Sequence, residues 1–218
     1  MAQRPNPVDE PAPKGATRGV SFDDALAVEQ VLAGRTEVYG DLVRKHADSV
    51  FNACWRICGN LEDARDLTQE AFLRAFENLG RFRQQSSFRT WIFRVAMNLA
   101  LSQRRRRRTR PTVSLDQPTD AAGTQAERLA QRVADERTPD PEATVSEAEL
   151  HGQVLKALQG LDEEHRAVVV LRDIEGFDYE QIAAVLEVPT GTVKSRLHRA
   201  RLALREVLAP HLVREPEQ

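Results

Sequence analysis

The sequence predicts an all-α protein made of two small helical domains joined by a flexible acidic linker, the second domain carrying a helix-turn-helix. Apolar residues recur at helical spacing and do not alternate as they would in half-buried strands. Prolines cluster at Pro5, Pro7, Pro11 and Pro13, at Pro111, Pro118, Pro139 and Pro141, and at Pro189, Pro210 and Pro216, which leaves 14–110 and 142–188 uninterrupted. Those two gaps hold the apolar periodicity, and the segment "PTVSLDQPTDAAGTQAERLAQRVADERTPDPEAT" between them is polar, small and acidic, a composition too poor in apolar surface to order itself. The division is therefore a tail over 1–20, a first domain over 21–110, a linker over 111–145, a second domain over 146–212 and a tail over 213–218.

Each element has its own start and stop signal. Ser21 caps a helix that runs through Ala33 and ends at Gly34, and a second helix from about Glu37 to Cys58 stops at Gly59. Asn60 caps "LEDARDLTQEAFLRAFENL" before Gly80; after the loop "RFRQQSS", Ser87 opens "FRTWIFRVAMNLALSQRRRRR". A short helix over Gln125–Glu136 has little apolar surface to bury. In the second domain Ser146 and Glu149 form a capping-box pattern before "LHGQVLKALQG", Asp162 starts "EEHRAVVVLRDIEG", and Asp178 starts "YEQIAAVLEV". The β-branched run "AVVVL" lies inside a capped helical pattern. The last helix begins at Thr190 or Gly191.

Composition excludes several classes. Of 218 residues 41% are hydrophobic, and Lys plus Arg (31) nearly balance Asp plus Glu (33), so the formal charge of −2 conceals segregation: six arginines fall within Arg104–Arg110 and the acidic segment follows. Cys54 and Cys58 are too few for a disulfide framework and point to a reducing compartment. A metal site would need His46 and a fourth ligand that no familiar spacing supplies, so these cysteines read as core. The head has no apolar signal segment and no run is long enough to span a bilayer, which predicts a cytoplasmic protein. There is no Ser-His-Asp order and no Gly-rich phosphate loop, so His165, His198 and the acidic helix are not read as catalytic, and no cofactor is expected.

The stretch "GTVKSRLHRARLALR" decides the function class. On a helix at about 100° per residue, Val193, Leu197, Ala200, Leu204, Val207 and Leu208 share an apolar arc, with Lys194, His198, Arg201 and Arg205 on another, flanked by Ser195 and Arg199. A lone helix of this kind is most simply a solvated basic face. Here "DYEQIAAVLEV" and "PTG" precede it, giving a short helix, a tight turn with a glycine, and a longer helix. The second helix of such a motif enters the major groove N-terminus first, which places Lys194, Ser195 and His198 toward base edges and the later arginines toward phosphates. In the first domain, aromatics (Phe88, Trp91, Phe93) interleave with cations (Arg89, Arg94) and Asn98. That combination suits unpaired bases, which need π-faces and positive charge; core packing is the plainer account of Ile92, Val95 and Leu99.

Taken in order, "NLEDARDLTQEAFLRAF", "FRTWIFRVAMNLALSQRRRR", the acidic linker and "LDEEHRAVVVLRDIEGFDYEQIAAVLEVPTGTVKSRLHRARLALR" closely resemble the bacterial sigma factors of the extracytoplasmic-function group of the sigma-70 family, over roughly Phe22–Leu212. The resemblance implies a non-enzymatic subunit that gives RNA polymerase core its promoter specificity and melts DNA without nucleotide hydrolysis, in a stress or envelope response. The first domain would be sigma region two and the second sigma region four. Asp63, Asp66, Gln69 and Glu70 would meet the clamp coiled coil of the β′ subunit, and region four the β flap. Phe88, Arg89, Trp91, Arg94, Asn98, Arg104 and Arg105 would bind and melt the −10 element. Trp91 sits at the strand-separating position, where Ile92 replaces the second tryptophan of primary sigma factors, which implies weaker melting and a stricter demand on the promoter. The loop Arg83–Ser87 would hold an extruded base, and Arg104–Arg108 phosphates. Lys194, Ser195, His198, Arg199 and Arg201 would read the −35 element. The linker would thread toward the polymerase active centre, its charge mimicking RNA, and an anti-sigma factor is the further partner. On the second domain alone, the alternative is a stand-alone helix-turn-helix regulator that binds duplex promoter DNA without core.

Overall fold

A computed structural model describes residues 22–82, 86–109 and 152–212, and all of its described regular structure is helical. The first domain comprises α1 (Phe22–Leu32), a 3-10 turn (Thr36–Val38), α2 (Tyr39–Cys58), α3 (Leu61–Glu77), a second 3-10 turn (Leu79–Arg81) and α4 (Phe88–Thr109). The second comprises α5 (152–160), α6 (Glu163–Val169) continuing into a π turn (Val170–Ile174), α7 (Tyr179–Leu186) and α8 (Thr190–Leu212). Ser21, the pattern at Ser146 and Glu149, the helix expected over Gln125–Glu136 and the linker lie outside the described residues.

Local chemistry sets the boundaries. Gly34 (φ 97°) ends the first helix region and Gly59 (φ 72°) ends α2 in the left-handed conformation glycine adopts without steric cost. The Asn60 side chain accepts from the Asp63 backbone N–H at 3.0 Å, and Ser87 Oγ accepts from the Thr90 N–H at 3.0 Å. Asp178 and Gln181 complete a reciprocal capping box on α7. Asp162 begins α6 differently from expectation: its carboxylate pairs with His165 Nδ1 at 2.8 Å and makes no cap bond. The long helix expected from Glu163 to Gly176 breaks at the π turn, where the Glu175 N–H reaches the Val170 carbonyl at 2.9 Å. In the helix-turn-helix the left-handed residue is Glu187 (φ 55°), and Gly191 lies within the first turn of α8, so the reversal falls four residues earlier than the glycine suggests.

The two domains share one continuous core. Val28, Leu42, Val50, Ile57, Leu67 and Phe72 fill the first, Val168, Leu171, Phe177, Ile182, Val185, Val193 and Leu197 the second, and Phe93 of α4 meets Phe177 ring to ring at 4.9 Å. Val207, expected on the buried arc of α8, is 53% exposed, because the C-terminal part of that helix has outrun the elements it packs against. Cys54 is buried and Cys58 half-buried, both free thiols; burial pushes their pKa values up to about 12 and about 11. His46 does not approach them as a third ligand: its Nε2 lies 3.1 Å from Asp24 Oδ2, and burial outweighs that carboxylate to lower its pKa.

Candidate nucleic-acid interface

Three surfaces collect the residues of interest. On α3, Asp66 and Gln69 are exposed, and Glu70 is ion-paired with Arg74 at 2.6 Å. Leu73 and Phe76 continue the same stripe at +7 from Asp66 and Gln69, 52% and 40% exposed, so the surface is mixed acidic and apolar. The charged letters draw attention in the sequence and hid these two, though their helical spacing was visible. Asp63 belongs elsewhere: it is buried, accepts from Gln103 Nε2 at 3.0 Å, and takes both guanidinium nitrogens of Arg107 at 2.5 and 2.7 Å. It ties α3 to α4 and presents no carboxylate to a partner in this structure.

Helix α4 has two working faces. Trp91, Arg94, Asn98 and Arg105 fall within about 60° of one another around the axis, and all are exposed or half-buried. The Trp91 ring leans on Phe82 (5.1 Å) and Phe88 (5.9 Å), which fixes its orientation while leaving part of it at the surface. Phe88 itself is 1% exposed and Ile92 fully buried, so both are core side chains and neither offers a stacking face. Arg89, Phe93, Ala96, Ala100 and Arg104, at i, i+4, i+7, i+11 and i+15, lie on the opposite side. The arginine run is thereby divided: Arg104 donates to the carbonyls of Ile57 (3.3 Å) and Cys58 (3.1 Å), Arg107 to Asp63, and Arg105 and Arg106 are exposed. Of the loop Arg83–Ser87, residues 83–85 lie outside the described residues.

That second face of α4 carries the second domain. Arg89 donates to the Glu175 carbonyl at 2.7 Å and to its carboxylate at 3.3 Å, and its guanidinium stacks 4.1 Å from the Phe177 centroid. Arg166, 1% exposed, donates to the carbonyls of Leu158, Gln159 and Leu161 in its own domain and to that of Ile57 at the end of α2. Burial and the neighbouring Arg104 push its pKa down to about 10. Gln159 Nε2 adds a bond to the Arg56 carbonyl at 2.9 Å. Arg89 therefore lies about 160° from Trp91 around the helix and does not join its surface.

On α8, Lys194, Ser195, His198, Arg199 and Arg201 are all exposed, while Val193, Leu197 and Ala200 are buried beneath them. The Lys194 ammonium lies 5.6 Å from the Tyr179 ring centroid, and the Arg172 guanidinium 5.0 Å from it, so this ring of α7 steers two cations beside the turn. Ser195 Oγ donates to the Thr192 carbonyl at 3.0 Å. Arg201 differs from its neighbours, being held by Asp173 through two bonds at 2.5 and 3.2 Å. Neither Tyr179 nor Asp173 carried a sequence signal for these contacts, since both depend on tertiary placement.

Comparison with known proteins identifies two regions of the chain. The family description "Sigma-70 region 2" matches residues 42–110, and "Sigma-70, region 4" matches residues 151–204. The chain is 38% identical to the ECF RNA polymerase sigma factor SigE of Mycolicibacterium smegmatis over 94% of its own length and 71% of that protein's. It is 36% identical to the ECF RNA polymerase sigma factor SigW of Bacillus subtilis over 83% of its own length and 94% of that protein's. Among solved structures, CnrH in complex with the cytosolic domain of CnrY superposes with a TM-score of 0.62 at 24% identity, covering 87% of this chain and 99% of that one. The sigma factor RpoE of Bartonella quintana, solved with the anti-sigma factor NepR, gives 0.57 at 22% identity, covering 81% and 98%. These two likenesses concern the fold.

Proposed function

Because the chain belongs to the extracytoplasmic-function sigma factors of the sigma-70 family, and so recognises promoters and starts transcription as a non-enzymatic subunit of RNA polymerase, we propose a division of that work among its three surfaces. The α3 stripe of Asp66, Gln69, Glu70, Leu73 and Phe76 seats on the clamp coiled coil of β′. The outward arc of α4 captures the melted −10 strand, with Trp91 as the stacking ring, Asn98 as a base contact, and Arg94 and Arg105 on phosphates. Lys194, Ser195 and His198 read −35 base edges, with Arg199 on the backbone. What carries this assignment is the arc itself: one tryptophan, one amide and two guanidiniums share a face that the core does not consume.

The energetics suit melting without hydrolysis. Unstacking a base costs a few kcal/mol, and stacking on an aromatic ring returns roughly 1–3 kcal/mol per base, with phosphate neutralisation adding to it. The acidic segment 111–145 takes the connector role toward the polymerase active centre, and an anti-sigma factor is the inhibitory partner. No described helix is long and apolar enough to cross a membrane; as a subunit of RNA polymerase the chain would work where the polymerase does, in the cytoplasm.

Two experiments test the division. Asp66→Ala should weaken binding to core by about tenfold, an ordinary interface-residue loss, while leaving −35 duplex binding by the full chain unchanged; titration of labelled chain with core and with duplex reads both, and loss of both would contradict separate surfaces. Lys194→Ala should change the −35 base profile, at about 1–3 kcal/mol of discrimination. Arg199→Ala should lower affinity uniformly and reduce the salt slope by about one. Arg201→Ala should reduce that slope less than Arg199→Ala, because Asp173 already neutralises its charge. Selection of bound sequences at two salt concentrations distinguishes the three, and identical profiles would refute the assignment.

A further inference from the structure

Behind the ring that captures the melted strand, a stack of aromatic side chains runs into the core of the first domain and ends on buried polar groups. We propose that His46 is a positioning residue for Trp91: held by Asp24, its imidazole backs Phe88, and Phe88 with Phe82 sets the angle at which Trp91 meets an unpaired base. The inference rests on the strand-capturing role of Trp91 stated above.

The stack can be followed ring by ring. Trp91 lies 5.1 Å from Phe82 and 5.9 Å from Phe88, at interplanar angles of 37° and 57°. Phe82 and Phe88 meet edge to face at 6.3 Å, so the two supports also fix each other. The His46 ring stands 5.5 Å from that of Phe88, tilted by 44°. Trp91 and Phe82 are half-buried, whereas Phe88 and His46 are buried, so the stack has one end at the surface and one in the core.

The need for such a prop follows from where Trp91 sits. A helical side chain leans back over the turn before its own Cα, and for Trp91 that turn begins at Phe88, the first residue of α4. No earlier turn of α4 lies beneath, so Phe88 must be supported from other elements. His46 of α2 supplies that support, and a polar bond fixes its ring. Asp24 of α1, its side chain 4% exposed, places Oδ2 3.1 Å from His46 Nε2, and its Oδ1 accepts from Lys45 Nζ at 2.8 Å. Lys45 supplies the countercharge, and burial lowers the imidazole pKa, so the ring is neutral at neutral pH. The carboxylate assigns the ring proton to Nε2, which donates to it. An aliphatic side chain would fill the same space and remain free to turn; the bond to Asp24 removes that freedom. A tryptophan already held in its working orientation loses less conformational entropy when a base stacks on it, and the captured strand is bound more tightly for the same contact.

The test compares variants of the full chain, assembled with core on the fragment most strongly transcribed from a pool of genomic promoters. His46→Gln keeps an N–H donor for Asp24 and removes the ring, while His46→Phe keeps the ring and removes the donor. Opening, followed by permanganate reactivity of unpaired thymines, should slow about 2- to 10-fold in His46→Gln, the range for one lost aromatic pair. His46→Phe should fall between His46→Gln and wild type, and so should Asp24→Asn, which leaves the ring in place and weakens only its hold. Core affinity and −35 duplex binding should not change, and thermal unfolding checks that each variant is folded at the assay temperature. The decisive comparison is made in Trp91→Ala, where His46→Gln should slow opening no further because it acts only through that ring. A purely structural role would add the same factor with or without the tryptophan. Opening at the wild-type rate in His46→Gln, or equal slowing in both backgrounds, would overturn the proposal. If Trp91→Ala alone left opening unchanged, the strand-capturing reading would fail and the proposal with it, a result distinct from a slow Trp91→Ala beside a fast His46→Gln.

Discussion

Replacing Arg166 with methionine is expected to destabilise the protein by about 3–5 kcal/mol, the range for losing several charge-assisted hydrogen bonds in the interior. Its guanidinium donates to four backbone carbonyls and to Gln159 Oε1 at 2.6 to 2.8 Å, and almost none of it meets water. Two of those carbonyls, of Leu158 and Gln159, lie in the last turn of α5 and the third, of Leu161, in the turn before α6, so one side chain fixes that junction, and the fourth ends α2 in the other domain. Methionine fills much of the volume but leaves the carbonyls without their donor. Arg166→Lys keeps the charge with three donors in place of a planar fork and should recover part of the loss. Denaturant titration followed by circular dichroism measures both; a methionine variant within about 1 kcal/mol of wild type would show that the network contributes little.

Truncating Trp91 to alanine is expected to slow open-complex formation by about 10- to 100-fold, since each 1.4 kcal/mol of lost stacking is a factor of ten and a base–aromatic contact is worth roughly 1–3 kcal/mol. Trp91→Phe should retain most of the activity, because a ring still leans on Phe82 and Phe88. Permanganate reactivity of unpaired thymines reads melting directly, and core affinity measured on the same samples should be unchanged, as Trp91 lies off the α3 stripe. Equal loss of core binding and melting would mean that the ring supports the fold of region two and not the strand.

Much of the fold was legible in local chemistry. Gly34, Gly59, Asn60, Ser87 and Asp178 mark helix ends because backbone conformation and capping involve only neighbours along the chain. The π turn at Val170–Ile174 was not legible, since the buried run Ala167–Leu171 reads as uninterrupted helix and only packing dictates an extra residue in the turn. The candidate site divides the same way. Lys194, Ser195 and His198 were found from motif geometry, and all three are exposed on α8 as read. Phe88, Asp63 and Arg89 were grouped with partner-facing residues by type and proximity in sequence, and the structure places them in the core, in a bond to Arg107 and in a bond to Glu175. Arg89 meets Glu175 across 86 residues and Arg166 meets Ile57 across 109, separations at which no sequence period carries information.

Transcription in vitro tests the central claim most directly. Purified chain is added to RNA polymerase core with a pool of genomic promoter fragments, and the 5′ ends of the run-off transcripts are sequenced. The account predicts a set of starts absent with core alone and sharing two sequence elements at fixed spacing, with the upstream element altered by Lys194→Ala and yield, without a change of consensus, lowered by Trp91→Ala. No transcript beyond those of core alone would contradict it.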